Sequence, residues 1–119
     1  MIRGTLPRIA MYLSLLLALP QAYGYECKPR YWNACANGVC QSGNGDMTIY
    51  FSEADRSVSR CDKKGCTPIK VQVAGSGVML KAASAENGYL LVINTMDRTF
   101  TEVATSVTAA FVKSGSCAQ

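Results

Sequence analysis

Residues 78–93 read Val-Met-Leu-Lys-Ala-Ala-Ser-Ala-Glu-Asn-Gly-Tyr-Leu-Leu-Val-Ile. Val78, Leu80 and Ala82 alternate with Met79 and Lys81, the period-two signature of a strand with one buried face. Asn87-Gly88 follows, and because both residues accept positive φ the pair marks a hairpin between two apolar runs. Tyr89–Ile93 then reads as a strand buried on both faces. The same period extends outward from this hairpin. Toward the N-terminus, Ile69, Val71 and Val73 alternate with Lys70 and Gln72, and Met47, Ile49 and Phe51 alternate with Thr48 and Tyr50. Toward the C-terminus, 99–105 and 107–113 are Thr- and Val-rich. Gly75-Ser76-Gly77 and Met96-Asp97-Arg98 supply turns. Helical periodicity is confined to Glu53–Val58 and Ala82–Asn87, each too short to stand alone. The fold class expected is therefore all-β, with about seven short strands in an antiparallel meander that closes as a small barrel or sandwich. Residues 47–119 carry this pattern. Residues 25–46 hold three Cys and are punctuated by Pro29, Gly38, Gly43 and Gly45, so they read as an irregular stapled arm of the same domain.

Residues 1–24 stand apart from the fold. Arg3 and Arg8 precede an apolar run, Ile9–Leu19, of eleven residues. Pro20 ends the run, and Ala22 and Gly24 place small residues at a cleavage position. This order is that of a secretory signal peptide cut after Gly24. A bilayer span needs about 20 apolar residues, so no membrane span is expected once the leader is removed. A lipid anchor is not expected either, because Cys27 follows Tyr25 and Glu26. The expected location is the periplasm or the exterior. The chain has 119 residues with a formal net charge of +4, and two of its twelve cations, Arg3 and Arg8, leave with the leader. The remaining charge of about +2 is too small to imply nucleic-acid or membrane-surface attraction.

All six Cys lie beyond the leader, and an even count in a short exported chain reads as a disulfide framework. Cys61 and Cys66 enclose Asp62-Lys63-Lys64-Gly65, and a four-residue loop ending in Gly suits a hairpin that brings the two Cys face to face. The Asn37-Gly38 turn suggests Cys35 with Cys40, which leaves Cys27 for Cys117; Cys35 or Cys40 in place of Cys27 is the alternative. No CxxC occurs, which argues against a zinc site or a thioredoxin-like role, so no metal or cofactor is expected.

The segments SVSRCDKKGCTP (57–68), GVMLKAA (77–83), RTFTEVATS (98–106) and FVKSGSC (111–117) resemble a loose group of small exported alphaproteobacterial proteins. What they share is a Cys pair flanking a short turn, a Phe-x-Glu-Val-Ala-Thr strand and a closing Gly-x-Cys. The resemblance implies export and a small β fold, and it implies no activity. The periplasmic c-type lysozyme inhibitors are also small exported β-barrels. Their Ser-Gly-x-x-Tyr loop is missing here; the nearest stretch is Ser84–Tyr89.

Candidate chemistry is sparse. The chain has no His, which removes Ser-His-Asp and Cys-His sites. Glu53, Asp55 and nearby Asp46 are close acids, the only basis for a carboxylate hydrolase, but their polar turn is where solvated acids are common. Thr67 and Lys70 have the spacing of a hydroxyl with a Lys base, yet Pro68 forbids the helix that such a pair needs. The expectation is a non-enzyme without catalytic residues, acting by binding a protein or glycan of the envelope. Its candidate contacts are Trp32, Arg56, Arg60, Lys63 and Lys64. Trp32, with Tyr25 and Tyr31 near Lys28 and Arg30, offers an aromatic surface, although a Trp capping the end of a β core is the plainer reading. The braced Lys63-Lys64 tip would suit an inhibitor of a secreted hydrolase, such as lysozyme or a serine protease. Its plainer role is to keep a sheet edge soluble.

Overall fold

The computed structural model describes residues 24–75 and 77–119; the proposed leader, apart from Gly24, lies outside them. Among the described residues ten strands follow in chain order: β1 (Gly24–Ala36), β2 (Val39–Asn44), β3 (Thr48–Ser52), β4 (Ser57–Asp62), β5 (Gly65–Lys70), β6 (Gln72–Ala74), β7 (Met79–Ser84), β8 (Tyr89–Asn94), β9 (Thr99–Thr105) and β10 (Ala109–Ala118). Every pairing is antiparallel, and the sheet runs β5-β4-β3-β1-β10-β9-β8-β7-β6, with β2 attached to β1.

The two ends of that path are consecutive in sequence. Only Val71 separates β5 from β6. Its N–H donates to the Arg56 carbonyl at 3.0 Å, which extends the β4–β5 ladder by one bond before β6 turns to pair with β7. One run of chain thus serves both edges, and the sheet curls into a nearly closed barrel. β2 and β3 are likewise one run, broken at Gly45–Met47, whose two halves take successive stretches of β1. Eight staves result, each beside its neighbour in the chain, with β1 against β10 completing the circuit.

Alternation fills the lumen. Ile49 and Phe51 (β3), Val58 (β4), Leu91 and Ile93 (β8) and Phe100 (β9) are buried, with Val71 and Leu80 beside them. This is one apolar face per strand meeting across a small barrel. β8 is buried on one face rather than both: Tyr89, Leu91 and Ile93 point in, while Leu90 is 37% exposed on the outer surface. A meander stave has solvent behind it, so an unbroken apolar run does not require two covered faces.

The region 25–46 is regular where the sequence suggests an irregular arm. It forms the β1–β2 hairpin, and β1 is the stave that closes the circuit. Of the residues that read as loop punctuation, Pro29 and Gly43 sit within strands, Pro29 beside a bulge, while Gly38 does form the β1–β2 turn and Gly45 lies in the short break between β2 and β3. Each of the three disulfides joins residues directly opposed on neighbouring strands: Cys27–Cys117 across β1–β10, Cys35–Cys40 across β1–β2, and Cys61–Cys66 across β4–β5. The described Cys are all paired, which suits an oxidising compartment.

Candidate functional site at the barrel mouth

One acid breaks the apolar alternation. Glu102 lies between Phe100 and Ala104 on the inward face of β9 and is 1% exposed. A buried carboxylate must be paired and hydrogen-bonded to persist. Arg60 reaches it from across the barrel on β4 through Nε to Oε2 (2.9 Å) and Nη2 to Oε1 (3.2 Å). The Tyr89 hydroxyl on β8 donates to Oε2 at 2.6 Å, and the Lys113 ammonium on β10 stands 3.8 Å from Oε1. The Arg60 guanidinium also lies 6.0 Å from the centre of the Tyr89 ring. Among the described residues no buried side-chain nitrogen or oxygen lacks a partner.

The environment biases these groups. Burial first, then the adjacent Glu102 charge, pushes the Tyr89 phenol far above its ordinary value, so it remains a donor. Burial, then the Arg60 charge, holds the Lys113 ammonium below its ordinary value, with Glu102 and Asp46 opposing the shift.

The register places an aromatic residue beside this group. Leu91, Glu102, Lys113, Trp32 and Gly43 form one cross-strand row through β8, β9, β10, β1 and β2. Trp32 joins the row only because β1 carries a bulge: Pro29 pairs with Gly115 and Tyr31 with Ser114, leaving Arg30 as the extra residue. An unbroken ladder would have turned Trp32 outward, because a one-residue slip exchanges the faces of a strand. Gly43 makes room for the ring; a Cβ there would lie 2.9 Å from Trp32 Cζ2.

Trp32, Arg60, Lys113, Phe111, Met47 and Asp46 line a cleft of about 420 Å³, with Asp62 at its edge. Phe111 is 42% exposed there. The volume is that of a small-ligand site, and aromatic walls with a few converging polar groups are the usual composition of one. A second concavity, on the outer surface beside Arg30, Tyr31, Thr101 and Ser114, has no buried charged group behind it.

Of the five residues singled out from sequence as contacts, Trp32 and Arg60 meet in this cleft. Lys63 and Lys64 form the exposed β4–β5 tip, next to Asp62, whose Oδ1 accepts from the Lys64 N–H at 2.8 Å. Arg56 stands apart, in the β3–β4 turn with φ +49°, where its carbonyl holds Val71. Glu53 and Asp55 are exposed in that same turn, and Asp55 receives a hydrogen bond from Ser52. Sequence reasoning missed Glu102, Tyr89, Lys113 and Phe111. The missed signal lay in parity: Glu102 shares its face with Phe100 and Ala104, and Arg60 shares its face with Val58. A lone acid on an inward face and the bases on inward faces near it, Arg60 and Lys113, are natural partners.

Comparison of the chain with protein-family models, with curated proteins and with solved structures finds no match.

Proposed function

We infer that the protein is an exported, non-catalytic domain of the cell envelope that acts by binding, with its ligand seated at the barrel mouth. The observation that carries this reading is the position of Trp32, the one tryptophan of the chain. A bulge turns it to the lumen side, where it lines a cleft with Phe111 and Arg60. Aromatic and Arg side chains that are only partly covered are the residue types that dominate binding surfaces. The non-catalytic part is supported by the state of Glu102. Both of its oxygens are engaged by Arg60, and Tyr89 holds one of them, so it has the surroundings of an anchor rather than of a proton carrier. The disulfides favour the periplasm or the exterior.

Inhibition of a secreted hydrolase is the second reading, favoured by the braced Lys63-Lys64 tip, which follows directly on the cleft residue Asp62. One set of measurements tests both. Insoluble peptidoglycan, immobilised lysozyme and immobilised trypsin are each offered the wild type and Trp32→Ala. Retention of the wild type on one of them, reduced at least tenfold in the variant, is expected. Retention on peptidoglycan alone favours the first reading; retention on either enzyme with loss of its activity favours the second. Binding unchanged by Trp32→Ala would remove the cleft from the account. Hydrolysis of a glycan or peptide by the protein, abolished by Glu53→Gln or Glu102→Gln, would overturn the non-catalytic reading.

A further inference from the structure

We propose that the cleft takes a saccharide bearing a single carboxylate, the acid directed inward to Lys113 and Arg60 and the sugar ring against Trp32 and Phe111. This rests on the barrel-mouth reading above and adds the chemistry of the ligand. The argument begins with charge at depth. Arg60 and Lys113 share one carboxylate, Glu102, so the inner group carries one positive charge beyond its neutral count. Their side chains are 24% and 15% exposed. Arg60 spends Nε and Nη2 on Glu102, which leaves Nη1 with no hydrogen-bond partner among the described residues. The 3.8 Å from Lys113 to Glu102 exceeds hydrogen-bond length, so the ammonium lies near an anion without donating to it. The Lys113 ammonium is also disfavoured where it sits, by burial and by Arg60. One further anion would give both donors a charged partner in place of water.

The acids at the cleft decide which anion. Asp46 and Asp62 are exposed, so water weakens their attraction for the inner cations more than it weakens interactions at depth. They oppose a polyanion at the entrance, which disfavours nucleic acid and polyphosphate. A surplus of one charge matches a carboxylate monoanion. Carboxylates are acceptors only, so Asp46 and Asp62 suit a ligand that donates several hydroxyls. Hydroxyl donors, one acid and a ring with apolar faces for Trp32 and Phe111 together describe an acidic sugar. A volume of about 420 Å³ falls within the range of small-molecule sites.

The test compares N-acetylmuramic acid with N-acetylglucosamine, which has the same ring without the lactyl carboxylate, and with the methyl ester of the acid. Each is titrated into the wild type, Lys113→Gln, Lys113→Arg and Trp32→Ala. Calorimetry reads all four proteins, Trp32 emission reads those that keep the indole, and circular dichroism confirms that each is folded. The acid is expected to bind at least tenfold more tightly than the other two sugars. Lys113→Gln should reduce that ratio to about one, and Lys113→Arg should keep most of it. Equal affinity for the three sugars in the wild type would overturn the proposal, as would an unchanged ratio in Lys113→Gln. If no sugar binds while a protein partner is lost with Trp32→Ala, the saccharide is wrong and the cleft reading stands. If the acid binds equally well to Trp32→Ala, the cleft reading itself fails.

Discussion

The carboxylate of Glu102 decides the character of the barrel mouth. Its neighbours were drawn inward by the need to compensate it, since an unpaired charge at that depth would cost several kcal/mol. Removing the charge should expose that dependence. Glu102→Gln leaves Arg60 and Lys113 facing each other without their shared anion, and a loss of about 3 kcal/mol is expected in urea unfolding at neutral pH. Tyr89→Phe removes a short hydrogen bond to a charged acceptor, for an expected loss of about 2 kcal/mol. The pH dependence carries a sharper signature. Above pH 10.0 an unfolded Tyr89 loses its proton while the folded one keeps it. The folded state then binds more protons, and stability falls as pH rises. Lys113 acts with the opposite sign. Its folded pKa lies below 10.5, so between the two values the unfolded chain binds more protons and stability rises with pH. Unfolding curves from pH 8 to 11 should therefore lose the alkaline decline attributable to this tyrosine in Tyr89→Phe, and lose the preceding rise in Lys113→Met. A Tyr89→Phe profile parallel to wild type would show that the phenol titrates normally in the folded protein.

At the scale of the strand, what was legible in the sequence depended on unbroken parity. β3, β7 and β9 alternate without interruption, and their inward residues can be read directly from 49–51, 80–82 and 100–104. β1 defeats the same reading. The bulge at Arg30 reverses parity halfway along it, so Cys27 and Trp32 share the lumen side although five residues apart, an odd interval. Its partner β2 hides as well, because Gly43 and Gly45 look like turn residues. They are there for close approach: Gly43 lies under the Trp32 ring, and a side chain at Gly45 would strike the Pro29 carbonyl. Gly115 has the same role at the closing pair, where a Cβ would collide with the Lys28 carbonyl. The distinction between ring and backbone yields a prediction. Gly43→Ala pushes on a side chain that can tilt, for a loss of about 1 kcal/mol with Trp32 emission shifted to longer wavelength. Gly115→Ala pushes on backbone that two strands hold, for a loss of about 3 kcal/mol with little change in emission. Reversal of that order in urea unfolding would mean that β1 and β10 can separate at their pairing more readily than the indole can move.

At the scale of the whole molecule, the meander order is what makes the barrel accessible to a short chain. Each stave finds its partner next in sequence, except where β1 meets β10. The closure was not legible in the sequence, because 69–73 reads as one strand with one set of neighbours, whereas Val71 hands it from β4 to β7. The β1–β10 contact is the one that folding must reach across nearly the whole described chain, and Cys27–Cys117 lies on it with a sequence separation of 90. The other two disulfides each span a separation of 5, within hairpins that local turns already favour. Chain entropy then ranks them. Loop closure over roughly 90 residues is worth about 4–5 kcal/mol and over a hairpin about 2 kcal/mol, because the long link removes more freedom from the unfolded chain. A domain of this size holds only about 5–14 kcal/mol in all, so the first figure is a large share of it. The double substitution Cys27→Ser/Cys117→Ser should therefore lower stability about twice as much as Cys35→Ser/Cys40→Ser or Cys61→Ser/Cys66→Ser, read by urea unfolding without reductant. It should also raise amide exchange first in β1 and β10, whose pairing it frees, while β7 and β8 stay protected until global unfolding. Equal losses for the three pairs, or exchange that rises uniformly, would show that the β1–β10 ladder holds the barrel shut without its covalent link.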